Sequence, residues 1–186
     1  MVEKARSHFN LENVDIEDLQ DVRTIAIEDG HSFHIEKPLE DKTNENSCNV
    51  TYYEVGVQGS DLKAKLTNSI VMQCLGEPFF NELRTQQQLG YVVFSRAVNT
   101  RDVLGAQFIV QSPKRSCEYI VNSVNDFLVS MRSKVAEMTQ EEFEIQKQAV
   151  HVQLSQKDIN LKKEYARHWG EISTHKYDFE RQNKEI

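Results

Sequence analysis

The chain has 186 residues, enough for one domain with a sizeable core, and its 22 basic and 29 acidic side chains give a net charge of -7. This negative balance argues against nucleic acid or an anionic membrane as a partner. Cys48, Cys74 and Cys117 lie far apart without a C-x-x-C pair, so neither a disulfide framework nor a thiolate zinc site is indicated. No apolar run approaches the roughly 20 residues of a membrane span, and no secretion signal opens the chain, so we expect a cytoplasmic protein.

The first part of the chain predicts a linker followed by strands. Residues 1–20 are polar and acidic with scattered apolar positions, which is typical of a linker or helix tail, and we place one domain at residues 21–186. Residues 22–36 alternate apolar and polar side chains around Asp29-Gly30, a pair suited to a tight turn, and therefore predict a hairpin. The β-branched and aromatic run at residues 48–59 predicts a third strand.

A helix is predicted next, and it leads to the segment that carries the site. Ser60 and Asp61 offer N-cap oxygens, and apolar residues follow at near-helical spacing. We expect this helix to end after Gly76, because Pro78 breaks it.

The second half of the chain predicts a strand hairpin and three helices. "GYVVFSRAV" and "VLGAQFIVQS" alternate in polarity and are joined by the polar "NTRD". An apolar stripe at residues 117–135, a capping box of Thr139 with Glu142, and residues 161–174 predict the helices. One apolar face of the hairpin should hold Val92, Phe94, Val98, Leu104, Ala106, Phe108 and Val110. The pattern predicts an α+β fold, with an antiparallel-rich sheet and helices packed on one face.

Two histidine arrangements resemble parts of metal sites. His31 and His34 are three residues apart on a predicted strand, so they should point to opposite faces. His168 and Glu171 match the first four positions of the helical zinc motif H-x-x-E-H, but Ile172 occupies the second ligand position. We therefore favour a solvated helix face and no metal in this segment, and an autonomous metalloenzyme that uses His168 and Glu171 is the minor alternative.

Residue chemistry alone predicts a binding or scaffold domain. The sequence contains no glycine-rich phosphate loop and no serine in a nucleophile elbow. On spacing alone, Arg84 is expected to pair with Glu77 or Glu82, and Tyr91 to pack in the sheet with its hydroxyl at the rim.

The segment "EPFFNELRTQQQLGYVVFS" resembles a block, F-x-x-L-R-T-x-x-Q-L-G-Y, of the pitrilysin-type zinc metallopeptidases, the insulin-degrading-enzyme (insulysin) family. "LGAQFIVQS", "FLVSM", "MTQEEFE" and "WGEISTHKYDFERQN" resemble the segments that follow it there, in order and at similar spacing. The resemblance covers about Asn49 to the end of the chain.

The resemblance implies the fourth and last domain of a peptidase built from two halves, in which the zinc motif belongs to the amino-terminal half. A domain of this kind would bind peptide, would be inactive alone, and would act with the amino-terminal half, with zinc in the full-length enzyme. We also expect a truncation at the C-terminal end and allow for a homo-oligomer. An interaction or assembly domain without direct substrate contact is the alternative.

The family's substrate contacts correspond to Arg84 and Tyr91 in this chain. An arginine has a fixed fork of donors that can hold a peptide carbonyl oxygen and stabilise charge developing on it, and a tyrosine hydroxyl can donate to the same oxygen. The two side chains meet only if the chain turns between them, and we expect Gly90 to adopt the unusual backbone angles of that turn. The residues expected to anchor the turn in the core are Phe79, Phe80 and Leu83.

Overall fold

The computed structural model describes Arg6, His8, residues 24–57 and residues 62–186. Its strands form one antiparallel sheet in the order β1-β3-β2, with β1 at Ser47–Val57, β2 at Val92–Thr100 and β3 at Val103–Ser112. The helices from residue 62 onward are α1 (Lys63–Phe80), a π-helix (Asn81–Gln86), α2 (Cys117–Ala136), α3 (Gln140–Leu154), α4 (Leu161–Ser173) and α5 (Arg181–Glu185). The predicted α+β class is confirmed. Within the described ranges, no helix has both the length and the apolar character to cross a membrane.

The core lies between one face of the sheet and helices α1 and α2. The ring of Phe79 in α1 packs edge-on against Phe108 of β3 and Phe127 of α2, with centroids 5.2 Å away in both cases. Burial of a large apolar side chain contributes about 1.5–3 kcal/mol, so this cluster holds the helices to the sheet. Its other buried members are Met72, Leu75, Leu83, Leu89, Val93, Val110, Ile120, Val124 and Met131.

The β2–β3 hairpin closes on Arg101 and Asp102, whose φ angles of 49° and 77° match a two-residue type I′ turn. This turn fixes the register so that Val93 lies opposite Val110 and is buried with it on the core face. Phe94 is 41% exposed on the opposite, open face of the sheet. The predicted core face was therefore right for β3 but wrong for β2, where Val92, Phe94 and Val98 lie on the open face, because alternation alone does not show which side meets the helices.

The amino-terminal segment forms the predicted turn but not the predicted strands. The backbone N–H of His31 donates to the carbonyl of Glu28 at 3.1 Å, while residues 24–28 and 31–39 belong to no strand. The side chains of Ile25 and Phe33 are 91% and 74% exposed. An isolated two-stranded hairpin without a buried face is marginal in water, which explains why the strand prediction was wrong. The predicted linker lies outside the described residues apart from Arg6 and His8, as do Ser60 and Asp61.

Helix α1 continues through Pro78, so the prediction that it ends after Gly76 was wrong. A proline inside a helix removes one backbone donor and costs about 3 kcal/mol. Phe79 and Leu83 follow the proline by one and five residues and are both fully buried. Their burial offsets the cost, and the helix passes into the π-helix instead of stopping.

The later helices begin close to their predicted positions. The predicted capping box is confirmed at the start of α3, where the Thr139 hydroxyl accepts the N–H of Glu142 and the Glu142 carboxylate accepts the N–H of Thr139. Asn160 caps α4 by accepting the N–H of Lys163 at 3.0 Å. Helix α5 is an addition that the sequence pattern did not indicate.

Candidate functional site

The end of the π-helix reverses the chain toward β2. The N–H of Gln87 donates to the carbonyl of Glu82 at 2.9 Å, and the N–H of Leu89 donates to the carbonyl of Leu83 at 3.0 Å. Gln88 between them has a φ of 51°, in the left-handed region that a residue with a side chain seldom adopts. The two leucines are buried and fix the reversal to the core, which brings residue 91 back beside residue 84.

The reversal places Arg84 against two aromatic rings. The guanidinium carbon of Arg84 lies 4.7 Å from the ring centroid of Tyr91 and 4.8 Å from that of Phe80. Each such contact contributes roughly 0.5–1 kcal/mol at an exposed site. A guanidinium that stacks through its faces keeps its N–H donors available in its own plane. The rings therefore hold the group in place, and its N–H donors make no hydrogen bond within the described residues.

The charge of Arg84 is not balanced by a carboxylate of the described residues. Within those residues, no hydrogen bond or ion pair involves Arg84, and a carboxylate oxygen of Glu82 instead accepts from the side-chain amide of Gln87 at 3.1 Å. Tyr91 precedes β2 and is 82% exposed. The interpretation with Arg84 paired to Glu77 or Glu82 and Tyr91 packed in the sheet is thus wrong for this structure.

The supporting residues divide between the core and the surface. Phe79 and Leu83 anchor the segment as expected, since both are fully buried. Phe80 is 40% exposed and lies beside Arg84, so its predicted place in the core was wrong. Helical spacing explains the division: Phe79 and Leu83 are four residues apart on the buried face, and Phe80 and Arg84 are four apart on the next face. That spacing is a signal from which the role of Phe80 could have been predicted.

Glycine is required at residue 90 because a side chain has no space there, and not because the backbone adopts an unusual angle. Gln88, not Gly90, has the positive φ, which corrects the prediction. A Cβ atom at Gly90 would lie 1.8 Å from the carbonyl oxygen of Gln111 at the end of β3. Only glycine permits this approach of the two backbones, and the approach sets where Tyr91 emerges.

The His168 and Glu171 pair has a different environment from that of a zinc motif. The two carboxylate oxygens of Glu171 accept from Nε and Nη2 of Arg181 at 2.7 and 3.2 Å, and one also accepts the N–H of Asp178. The hydrogen bonds from Arg181 are the main reason that the pKa of Glu171 is lowered. A carboxylate held in this way is a poor base. In the part of the chain that the structure describes, no three His, Cys, Asp or Glu side chains are grouped as a metal site.

Comparisons with known proteins show the family of this domain. The family model "PQQ synthase PqqF-like, C-terminal lobe domain 4" matches residues 70–169. Human insulin-degrading enzyme is 36% identical over 142 residues, which are 76% of this chain and 14% of that protein. A Schizosaccharomyces pombe relative named as a zinc protease is 27% identical over 185 residues, 100% of this chain and 19% of that protein. The crystal structure of pitrilysin has the same fold, with a TM-score of 0.67 and 23% identity over 77% of this chain and 15% of that one.

The fold and these matches define a domain of the kind found in the C-terminal lobe of the proteins that the family model describes. The chain belongs to the pitrilysin family. It spans less than a fifth of the length of the two relatives, 14% and 19%.

Proposed function

We propose that this chain is the substrate-holding, non-catalytic C-terminal domain of a zinc metalloendopeptidase, with Arg84 and Tyr91 as its peptide contacts. The observation that carries the proposal is the stacked guanidinium of Arg84, which has no carboxylate partner among the described residues. Paired arginines serve structure, whereas an oriented arginine with an open donor edge is suited to a ligand that accepts hydrogen bonds.

The chemistry follows from the donors at the site. The in-plane N–H groups of Arg84 bind the carbonyl oxygen of a peptide and oppose the negative charge that develops on it during hydrolysis. The exposed hydroxyl of Tyr91 donates to the same oxygen or to its neighbour. Loss of one donor aimed at a developing oxyanion costs about 3 kcal/mol in other hydrolases. Zinc and the attacking water belong to the amino-terminal half of the enzyme in this proposal.

An interaction or assembly domain is the second candidate, and the open face of the sheet favours it. Val50 and Phe94 on this face are 52% and 41% exposed, and Tyr52 is 37% exposed. Exposed apolar side chains on one face are a common feature of surfaces that contact other protein chains. This candidate predicts that peptide turnover does not depend on Arg84.

The experiment is hydrolysis of a quenched fluorogenic peptide by this chain, alone and after addition of the zinc-bearing amino-terminal half of a pitrilysin-type peptidase. We expect turnover only in the mixture, and a large loss with Arg84→Ala. Arg115→Ala is a matched control, because the guanidinium of Arg115 also stacks on a tyrosine, Tyr119, at 4.5 Å.

Each outcome separates the candidates. Turnover that is unchanged by Arg84→Ala, or reduced equally by Arg115→Ala, would contradict a substrate contact at Arg84 and favour the assembly domain. Chelator-sensitive turnover by this chain alone would instead support the autonomous metalloenzyme.

A further inference from the structure

Strand β1 is an edge of the sheet, away from the Arg84 site. It pairs with β3 on one side, and no described strand pairs with its other side. The outer edge of such a strand presents backbone N–H and C=O groups that an added strand can bind. This edge is therefore a surface on which an extended peptide can form hydrogen bonds without any change in the sheet.

A cleft of about 540 Å³ lies between this strand and the turn around Asp29-Gly30. Residues 27–33 form one wall and residues 50–56 the other. The walls are tied together where the backbone N–H of Ile27 donates to a carboxylate oxygen of Glu54 at 2.9 Å. Residues 31–39 belong to no strand. The cleft therefore lies between the outer edge of β1 and a segment whose backbone forms no sheet hydrogen bonds.

The charges of the cleft are mainly acidic. Glu28, Asp29 and Glu54 line it together with His31, and its described lining residues include no lysine or arginine. Nδ1 of His31 lies 3.9 Å from a carboxylate oxygen of Glu28. Complementary charge selects partners and speeds their association, so this cleft favours a positively charged peptide.

A β-bulge limits the part of β1 that an added strand could use. The register with β3 shifts between Glu54 and Gly56, and Gly56 has a φ of 142°. A bulge twists the strand and interrupts regular pairing. The regular edge therefore ends at Glu54, beside the acidic residues.

We infer that the outer edge of β1 binds an extended, positively charged segment of peptide by strand addition, with the acidic cleft selecting lysine or arginine side chains. Strand addition supplies affinity through main-chain hydrogen bonds and specificity through alternate side chains. The inference rests on the proposed peptide-holding function and adds a substrate class to it. It concerns a stretch of peptide separate from the one that Arg84 contacts.

The test is fluorescence anisotropy with the complete chain and dye-labelled peptides of about seven residues, the length of an ordinary strand. One peptide alternates valine with lysine, a second alternates valine with glutamate, and a third is the lysine peptide with N-methyl groups on alternate backbone nitrogens. We expect the lysine peptide to bind at least about tenfold more tightly than each of the others, and its advantage over the glutamate peptide to shrink as salt is added.

The matched variants change charge without changing size. Glu28→Gln with Glu54→Gln should reduce the preference for lysine, and glutamine at residue 54 still offers an oxygen to the N–H of Ile27. Glu118→Gln with Glu137→Gln removes the same charge from exposed positions outside the cleft and should leave the preference unchanged.

Three results would overturn the inference: equal binding of lysine and glutamate peptides, equal binding of the N-methylated peptide, or no binding of the lysine peptide. In the last case, slow hydrogen exchange in both residues 31–36 and β1 would show that the chain's own segment occupies the edge. The proposed function is judged separately, since loss of turnover with Arg84→Ala in the mixed enzyme stands whether or not the lysine peptide binds.

Discussion

The segment from Phe79 to Tyr91 and the C-terminal segment from α4 to α5 use opposite means to hold their shape. The first is fixed by fully or almost fully buried side chains, at Phe79, Leu83 and Leu89. Helix α4 has no buried residue, and ion pairs tie its segment to the rest of the domain instead. Lys65 with Glu185 and Lys176 with Asp102 connect the segment to α1 and to the β2–β3 turn, while Arg167 with Asp158 and Arg181 with Glu171 connect α4 to the loop before it and to α5.

The contrast shows why two arginines of the same domain differ in what they can do. Where apolar burial fixes the backbone, as around Arg84, the charged side chain is not needed for stability and its donors stay open. Where burial is small, as around Arg181, the carboxylates are used to fix the structure, and the guanidinium is bound by both oxygens of Glu171. Five predictions test this contrast.

The largest expected effect is on stability, from Phe79→Ala. The ring is fully buried between Phe108 and Phe127, so its removal leaves a cavity and should lower the free energy of unfolding by about 4 kcal/mol. Urea denaturation followed by circular dichroism measures the change. Phe80→Ala is the neighbouring control and should cost less than about 1 kcal/mol, because that ring is partly exposed. Equal costs for the two would show that burial does not distinguish them.

Arg84→Ala should separate function from stability. We expect turnover of the mixed enzyme to fall by about 10²–10³-fold, while the free energy of unfolding falls by no more than about 1–2 kcal/mol, the amount expected for the two ring contacts of Arg84. The measurements are peptide hydrolysis and urea denaturation of the same preparations. A loss of stability similar to that of Phe79→Ala would show that Arg84 is a structural residue.

Arg181→Ala should have the opposite effect to Arg84→Ala: it should lower the stability of the chain and leave turnover unchanged. Removal of the two hydrogen bonds leaves the Glu171 carboxylate, 13% exposed, without its partner, and should cost about 2 kcal/mol at neutral pH. Urea denaturation gives the stability, and the mixed enzyme gives the turnover. A variant as stable as the original chain would mean that the ion pair contributes nothing to the C-terminal segment.

The ion pair of Arg181 and Glu171 should also make the free energy of unfolding depend on pH. Arg181 lowers the pKa of Glu171 below its usual 4.5 in the folded chain, so the folded state binds this proton less readily than the unfolded state does. The stabilisation is complete above about pH 4.5 and is lost as the pH falls through the lowered pKa. The unfolding free energies of the original chain and Arg181→Ala should therefore converge in acid. A constant difference down to about pH 2 would contradict the assignment.

Local patterns predicted most elements of this fold, and the errors occurred where distant residues decide. The capping box at Thr139 and the hairpin around Arg101 depend on neighbouring residues, and both are present. The inward face of β2 depends on its register with β3, and the need for glycine at residue 90 depends on the Gln111 carbonyl. Helix α1 passes Pro78 because burial outweighs a local preference. None of these follows from a single stretch of sequence.

The candidate site shows the same limit on a smaller scale. The sequence indicated that Arg84 and Tyr91 meet only if the chain turns, and the structure has that turn. The spacing of Phe80 and Arg84 could have predicted their contact, whereas the lack of a carboxylate partner for Arg84 among the described residues is visible only in the three-dimensional arrangement.

Tyr91→Phe should have the smallest effect of these variants, and it tests the hydroxyl of Tyr91 alone. Phenylalanine keeps the ring beside the guanidinium and removes only the hydroxyl, so the orientation of Arg84 is preserved. Loss of one neutral hydrogen bond to the substrate costs about 1 kcal/mol, which corresponds to about a fivefold loss of turnover in the mixed enzyme. Tyr91→Ala removes the ring as well and should reduce turnover further. If Tyr91→Phe matches the original chain while Tyr91→Ala does not, Tyr91 orients Arg84 and does not itself bind the peptide.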